Sequence, residues 1–256
     1  MERLILIETS TALCSAALAE DGVITAYRES SAPKAHASLT AVFIQEMLEE
    51  KGLTIADCDA VCVSKGPGSY TGLRVGVSTA KGLCFGSGKP LIAIGTLDIL
   101  TAQAQEASPE TGIANPSETG IADLIGNPPH IVPMIDARRM EVYAATFKRS
   151  DASANHSEAT PRYTQVTETA PAIIDETSYT NLLNEGPVLF NGDGAGKCAN
   201  VIKHPNATFI QCWPKASAML QPALRAYREH RFEDVAYFEP FYLKEFVATV
   251  SKKKLF

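Results

Sequence analysis

Ala60-Val61-Cys62-Val63-Ser64-Lys65-Gly66-Pro67-Gly68-Ser69-Tyr70-Thr71-Gly72-Leu73-Arg74 runs from a short apolar segment through a glycine-rich turn into residues with helical spacing. Ala60–Val63 is a continuous apolar run of the kind buried on both faces of a sheet, and the residues after Ser69 predict a helix over about 70–85. A further apolar run, Pro90-Leu91-Ile92-Ala93-Ile94, closes a β-α-β unit. A strand-to-helix turn is where a phosphate would be cradled, because free N–H groups and the helix dipole converge there. This turn has no Gly-Lys-Ser/Thr ending and lacks the third glycine of a dinucleotide fingerprint, and Pro67 removes one donor. It reads as a structural turn rather than a phosphate loop.

Upstream, Leu4–Ile7 and Ser15–Ala19 read as strands, and Asp21-Gly22 is a hairpin signal before a third at Val23–Tyr27. The period changes over 38–50, where Leu39, Val42, Phe43 and Met47 share one helical stripe, widened by Ala41, Ile44 and Leu48, with Gly52 as a stop. Downstream, residues 108–129 dissolve into Pro, Gly, Asn and acidic residues, and Glu110-Thr111-Gly112-Ile113-Ala114 recurs at Glu118-Thr119-Gly120-Ile121-Ala122. Two short copies are too few for a solenoid and predict a duplicated, dispensable loop insertion. Strands follow at Ile131–Ile135, Glu141–Phe147 and Pro187–Phe190, the last running into Asn191-Gly192-Asp193-Gly194, and a helix is predicted around Ala216–His230 with Pro222 near its start. A meander followed by β-α-β alternation predicts an α/β fold with sheets of mixed direction. The division is an N-terminal subdomain over 1–105, a loop insertion over 106–129 and a C-terminal subdomain over 130–256 whose last segment can pack back on the first.

The 256 residues are 45% hydrophobic and 20% charged, an ordinary globular composition that excludes fibrous and wholly disordered classes. Lysine and arginine number 23 against 29 aspartates and glutamates, a formal net charge of −6, which argues against a free-standing nucleic-acid binder. No apolar run approaches the roughly 20 residues a membrane helix needs. Without an export signal, the six scattered cysteines read as reduced thiols and the expected compartment is the cytoplasm.

Gly72, Gly76 and Ala80 recur every four residues and make a smooth strip along one helix face. Glycine inside a helix costs roughly 1 kcal/mol relative to alanine, so the spacing predicts close backbone approach, either to the protein's own sheet and first helix or to a partner helix. Glu8, Asp136 and Asp193 stand at strand ends, where an actin-like ATPase places acids beside glycine-bearing phosphate loops. Ser10 occupies the place of a helpful glycine in the first loop, and Arg138 and Arg139 add bulk and charge to the second. The histidines at 36, 130, 156, 204 and 230 show no metal-ligand spacing, and His36 is expected to border the first helix. The terminal Lys252-Lys253-Lys254 reads as a solvated end.

Ile7-Glu8-Thr9-Ser10, Lys65–Arg74 with its small-residue helix, Asp136-Ala137-Arg138-Arg139-Met140-Glu141-Val142-Tyr143, Asn191–Gly194 and Pro240-Phe241-Tyr242-Leu243-Lys244, in this order, resemble the TsaB (YeaZ) family. The resemblance covers nearly the whole chain apart from the insertion. It implies an actin-like, RNase H-like fold of two subdomains and a part in forming N6-threonylcarbamoyladenosine at position 37 of tRNAs that read codons starting with A. It also implies a non-catalytic scaffold for the TsaD-like catalytic subunit, joined by a TsaE-like ATPase. Nucleotide and metal are then expected on those partners and no cofactor in the isolated chain, with tRNA met only through the complex. In the catalytic relative two metal histidines follow a strand like Leu91–Ile94; here Thr96 and Leu100 stand at those places, and neither can ligate a transition metal. The expected partner surface, shared with a homodimer of the chain alone, comprises Leu39, Phe43, Met47, Gly72, Gly76 and Ala80. Rival readings are an autonomous actin-like ATPase or small-molecule kinase, and a metallopeptidase, which lacks its ligands here.

Overall fold

The computed structural model describes residues 1–105, 128–150 and 163–244. The repeated segment around 110–122 and the terminal lysines lie outside the described residues. β1 (Arg3–Glu8), β2 (Cys14–Glu20) and β3 (Val23–Ser30) form an antiparallel meander. β4 (Ala60–Gly66) pairs parallel to β1, and β5 (Leu91–Gly95) parallel to β4, so the five strands lie in the order β3-β2-β1-β4-β5. Between β3 and β4 runs α1 (Ala35–Glu50); α2 (Tyr70–Ser87) crosses from β4 to β5, and α3 (Thr96–Gln105) leaves β5 directly. The Ser69 hydroxyl accepts from the Gly72 N–H at 3.3 Å to cap the start of α2, and Gly88, at φ +69°, ends it.

The second half repeats the plan. β6 (His130–Asp136), β7 (Glu141–Ala144), β8 (Phe147–Arg149), β9 (Tyr163–Gln165) and β10 (Ala170–Ile173) precede α4 (Thr180–Glu185), β11 (Val188–Asn191), α5 (Ala195–Cys198), β12 (Ala207–Ile210) and α6 (Leu220–Arg228). Their order is β10-β7-β6-β11-β12, with β11 and β12 parallel to β6 and the short β8–β9 pair attached to β6. Apart from that pair, each sheet holds its own third, second, first, fourth and fifth strands in that spatial order. This is the duplicated mixed-sheet architecture expected of an actin-like fold.

Alternation along the strands sends side chains to two cores per sheet. Ile5, Ile7, Val61 and Val63 meet α1 and α2 through Phe43, Met47, Val77 and Ala80. Leu4, Leu6, Ala60 and Cys62 face the opposite way, onto Ile99 of α3 and the segment Ala216–Ala226. α3 is buried on both sides, because Leu97, Leu100 and Ala104 pack against Ile131, Ile135 and Leu189 of the second sheet. α4 and α5 cover the far face through Leu183 and Cys198. The chain then returns: α6 lies on the first sheet, Glu233 bridges to Leu91, Val235 and Phe238 pack against the α1–α2 core, and the Phe241 N–H donates to the Lys65 carbonyl at 2.7 Å. All six cysteines are free thiols.

The predicted strand over 141–147 is broken at Ala145-Thr146, which lets β7 pair with β10 while β8 pairs with β9. The helix predicted around 216–230 opens as a 3-10 turn over Ser217–Met219, and Pro222 sits in the first turn of α6, where its missing N–H costs nothing.

Candidate functional site

The first strand-end turn is closed. Glu8, Thr9 and Ser10 have 0% exposure. Glu8 Oε1 accepts from the Ser10 N–H at 2.6 Å and from the Ser64 hydroxyl at 3.1 Å, while Oε2 has no partner among the described residues. Burial pushes the Glu8 carboxyl up to about 7, against the lowering effect of those hydrogen bonds. The turn is held from above by α2 and by the loop before it. The Ser69 N–H donates to the Ser10 carbonyl at 2.6 Å, and His36 Nε2 lies 2.8 Å from the Thr11 carbonyl. A Cβ added at Gly68 would overlap the Ser10 backbone, one at Gly72 the Thr9 carbonyl, and one at Gly76 the Thr9 hydroxyl.

These contacts correct the expected partner surface. Gly72, Gly76 and Ala80 are all buried and face inward, the two glycines onto Thr9 and Ala80 into the α1–α2 core. Phe43 (8% exposed) and Met47 (1%) belong to the same core, and Leu39 packs against it half-buried. The strip exists to let α2 settle on the β1–β2 turn. What the two helices turn outward is different: Ala41, Val42, Gln45 and Glu46 on α1, and Thr71, Arg74, Ser78, Gly82, Phe85 and Gly86 on α2. Phe85 is 86% exposed and Val42 40%, and a Cβ at Gly82 or Gly86 would meet nothing within 4 Å. Sequence reasoning missed Phe85; its one signal was a large apolar residue off the small-residue strip, between two glycines.

The segment over 232–244 borders this outer face. Lys81 Nζ donates to the Ala236 and Phe238 carbonyls at 3.1 and 3.0 Å. Farther along, Tyr242 packs on Tyr70 with ring centroids 4.8 Å apart, and the Arg74 guanidinium lies 4.4 Å from the Tyr70 centroid. Lys244 reaches the second sheet, bonding Glu141 and lying 5.9 Å from the Tyr143 ring.

The second strand-end turn is open. Asp136 is exposed and paired with Lys197, whose Nζ also donates to the Glu141 carbonyl at 2.6 Å. Asp193 Oδ1 accepts from the Asp136 N–H at 2.9 Å, and burial raises the Asp193 carboxyl to about 6. Arg138 and Arg139 both adopt left-handed backbone, at φ 72° and 52°. Thr96 and Leu100 have 0% exposure, with Leu100 in the core between α3 and the second sheet. Among the described residues no group of three or more His, Cys, Asp or Glu side chains converges as a metal site. No helix among them is long and apolar enough to cross a membrane.

A family model described as TsaD, tRNA N6-adenosine threonylcarbamoyltransferase, matches residues 29–251. The tRNA threonylcarbamoyladenosine biosynthesis protein TsaB of Escherichia coli (strain K12) is 29% identical over 250 residues, which is 96% of this chain and 96% of that protein. The TsaB protein of Haemophilus influenzae (strain ATCC 51907 / DSM 11121 / KW20 / Rd) is 35% identical over 155 residues, 60% of this chain and 58% of its own length. Among solved structures, a Pseudomonas aeruginosa protein described as similar to the peptidase YEAZ superposes with a TM-score of 0.75 at 22% identity, covering 95% of this chain and 100% of that one.

Proposed function

We propose a role that starts from one premise: this chain belongs to the tRNA N6-adenosine threonylcarbamoyltransferase (TsaD) family, on its TsaB (YeaZ) branch. It is a protein of tRNA threonylcarbamoyladenosine biosynthesis. Within that pathway it acts as a non-catalytic scaffold that docks on a TsaD-like catalytic subunit, and it self-associates through the same surface when that subunit is absent. The observation that carries this reading is the outer face of α1 and α2, where Phe85 stands 86% exposed between two glycines that leave the helix backbone open to close approach. An exposed aromatic beside smooth backbone is poorly suited to water and well suited to a packed helix.

Residue chemistry supports a supporting rather than a catalytic part. Phosphate could reach the β1–β2 turn only by displacing Gly68 and Gly72 from the Ser10 and Thr9 carbonyls. By the family resemblance, Thr96 and Leu100 take the places of the catalytic relative's two metal histidines. In this reading nucleotide and metal belong to the TsaD-like subunit and a TsaE-like ATPase, tRNA is met in the assembled complex, and the chain works in the cytoplasm. An autonomous ATPase would need both strand-end turns open to phosphate, and the first is closed by Gly68 and Gly72 against Ser10 and Thr9; no observation favours it.

The test is to mix the chain with the TsaD-like enzyme of the same cell and follow association by sedimentation. Phe85→Asp should abolish the complex and leave the melting temperature of the free chain unchanged. A complex that forms equally well with Phe85→Asp overturns the docking face.

A further inference from the structure

The β6–β7 hairpin closes through Ala137-Arg138-Arg139-Met140. The Glu141 N–H donates to the Arg138 carbonyl and the Ala137 N–H to the Glu141 carbonyl, both at 3.1 Å. Arg138 and Arg139 both hold positive φ inside this three-residue loop, a backbone that favours Asn and Gly because a Cβ is strained there. Two long, charged residues occupy it instead, and a strained conformation kept at such a place points to use of the side chains.

The charges around the turn are unevenly spent. Lys197 is committed to Asp136 and Lys244 to Glu141. Asp193 turns its carboxylate to the Asp136 N–H. Asp175 follows Ile174, whose N–H donates to the Met140 carbonyl, but its own carboxylate is taken by the Thr177 N–H and by the hydroxyls of Thr177 and Ser178. The Arg138 and Arg139 guanidiniums make no hydrogen bond or ion pair among the described residues, and both residues are exposed. They are surplus cations at a rigid tip of a chain whose formal net charge is −6.

We infer that the Arg138–Arg139 tip is a contact for the phosphate backbone of RNA, an inference that rests on the tRNA-pathway role proposed above. An exposed pair of guanidiniums suits successive phosphates of an extended polyanion. A small nucleotide fits worse, because Asp136 and Asp193 line the base of the turn. Tip contacts of this kind position a nucleic acid without reading its sequence.

The decisive variant is Arg138→Asn with Arg139→Gly, which removes both charges and installs the residues the turn prefers, so the fold should hold or gain stability. An unmodified tRNA transcript is titrated by fluorescence anisotropy across a salt series, against the complex with the catalytic subunit and, at low salt, against the isolated chain. We expect the variant to bind tRNA several-fold more weakly, with the slope of log affinity against log salt reduced by up to about 2, one for each lost phosphate contact. Arg138→Lys with Arg139→Lys should retain most of the binding. Unchanged affinity and slope in both settings overturn the inference, as does loss of subunit association with tRNA binding by the isolated chain intact, which would make the tip a protein contact. Failure of the unmutated chain to join the catalytic subunit would instead overturn the docking proposal, and the isolated-chain titration would still decide the role of the tip.

Discussion

Replacing Gly72 with alanine adds one methyl group to α2, and it should unfold the protein more readily although alanine favours helix. A Cβ there would overlap the Thr9 carbonyl oxygen and lie 3.3 Å from the Thr9 carbonyl carbon. The obstacle is the backbone of Thr9, which has 0% exposure, in a turn pinned by the Ser69-to-Ser10 hydrogen bond, so relief requires moving α2 off the first sheet. Overpacking costs about 1–3 kcal/mol, and an obstacle of fixed backbone puts this site in the upper part of that range, about 2–3 kcal/mol, against the roughly 1 kcal/mol that alanine gains over glycine in a helix. The expected net loss of about 1–2 kcal/mol corresponds to a fall of roughly 2–8 °C in the melting temperature of a chain this size. Gly82→Ala is the internal control: nothing lies within 4 Å of its Cβ, and the variant should melt about 2–4 °C higher. At Gly76 the obstacle is the Thr9 side chain, with Cβ at 3.3 Å and Cγ2 at 3.4 Å, so Thr9→Ala should rescue Gly76→Ala but not Gly72→Ala. Calorimetry on these five variants suffices. If Gly72→Ala matches Gly82→Ala in stability, the glycine strip does not seat α2 on the β1–β2 turn and its partner must be sought outside the chain.

Glu8, whose folded carboxyl titrates near 7 against an ordinary value of 4.5, holds a proton in the native state that the unfolded chain releases. Its contribution to stability is present below pH 4.5 and lost as pH rises through 7, at most about 3 kcal/mol in all; Glu8→Gln should flatten that slope in denaturant titrations, and an unaltered slope would contradict a buried, protonated Glu8. Lys81→Met removes two bonds to backbone carbonyls, so it should cost about 1–3 kcal/mol and speed hydrogen exchange over 232–241, leaving the amides of β6 and β11 unaffected. Val42→Asp, on the exposed face of α1, should leave the melting temperature unchanged and weaken self-association in sedimentation runs; persistence of the same dimer would place self-association elsewhere.

What was legible in the sequence followed burial. β1, β4, β5, β6 and β11 are continuous apolar runs because both faces of each strand are covered, and α1 and α2 show a helical period because one side of each meets the first sheet. α3 was not legible: Ile99 faces one core and Leu97, Leu100 and Ala104 the other, so its apolar residues do not gather on a single stripe. β9, β10 and β12 are three or four residues long and half open to solvent, too short for alternation to show. At the site, the spacing of Gly72, Gly76 and Ala80 announced a close approach but not what approaches. The answer was Thr9, far off in sequence and brought in by β1 and β4 lying side by side. With that strip turned inward, the proposed partner face is the opposite side of the same helices, where Phe85 and not Phe43 is exposed.

Formation of threonylcarbamoyladenosine, reconstituted from purified components with and without this chain, tests the scaffold role most directly. Full modification of tRNA should need the chain at one copy per catalytic subunit, fail when Phe85→Asp replaces it, and show no nucleotide turnover by the chain alone. Modification at an undiminished rate in its absence, or steady ATP hydrolysis by the isolated chain, would contradict the role proposed for it.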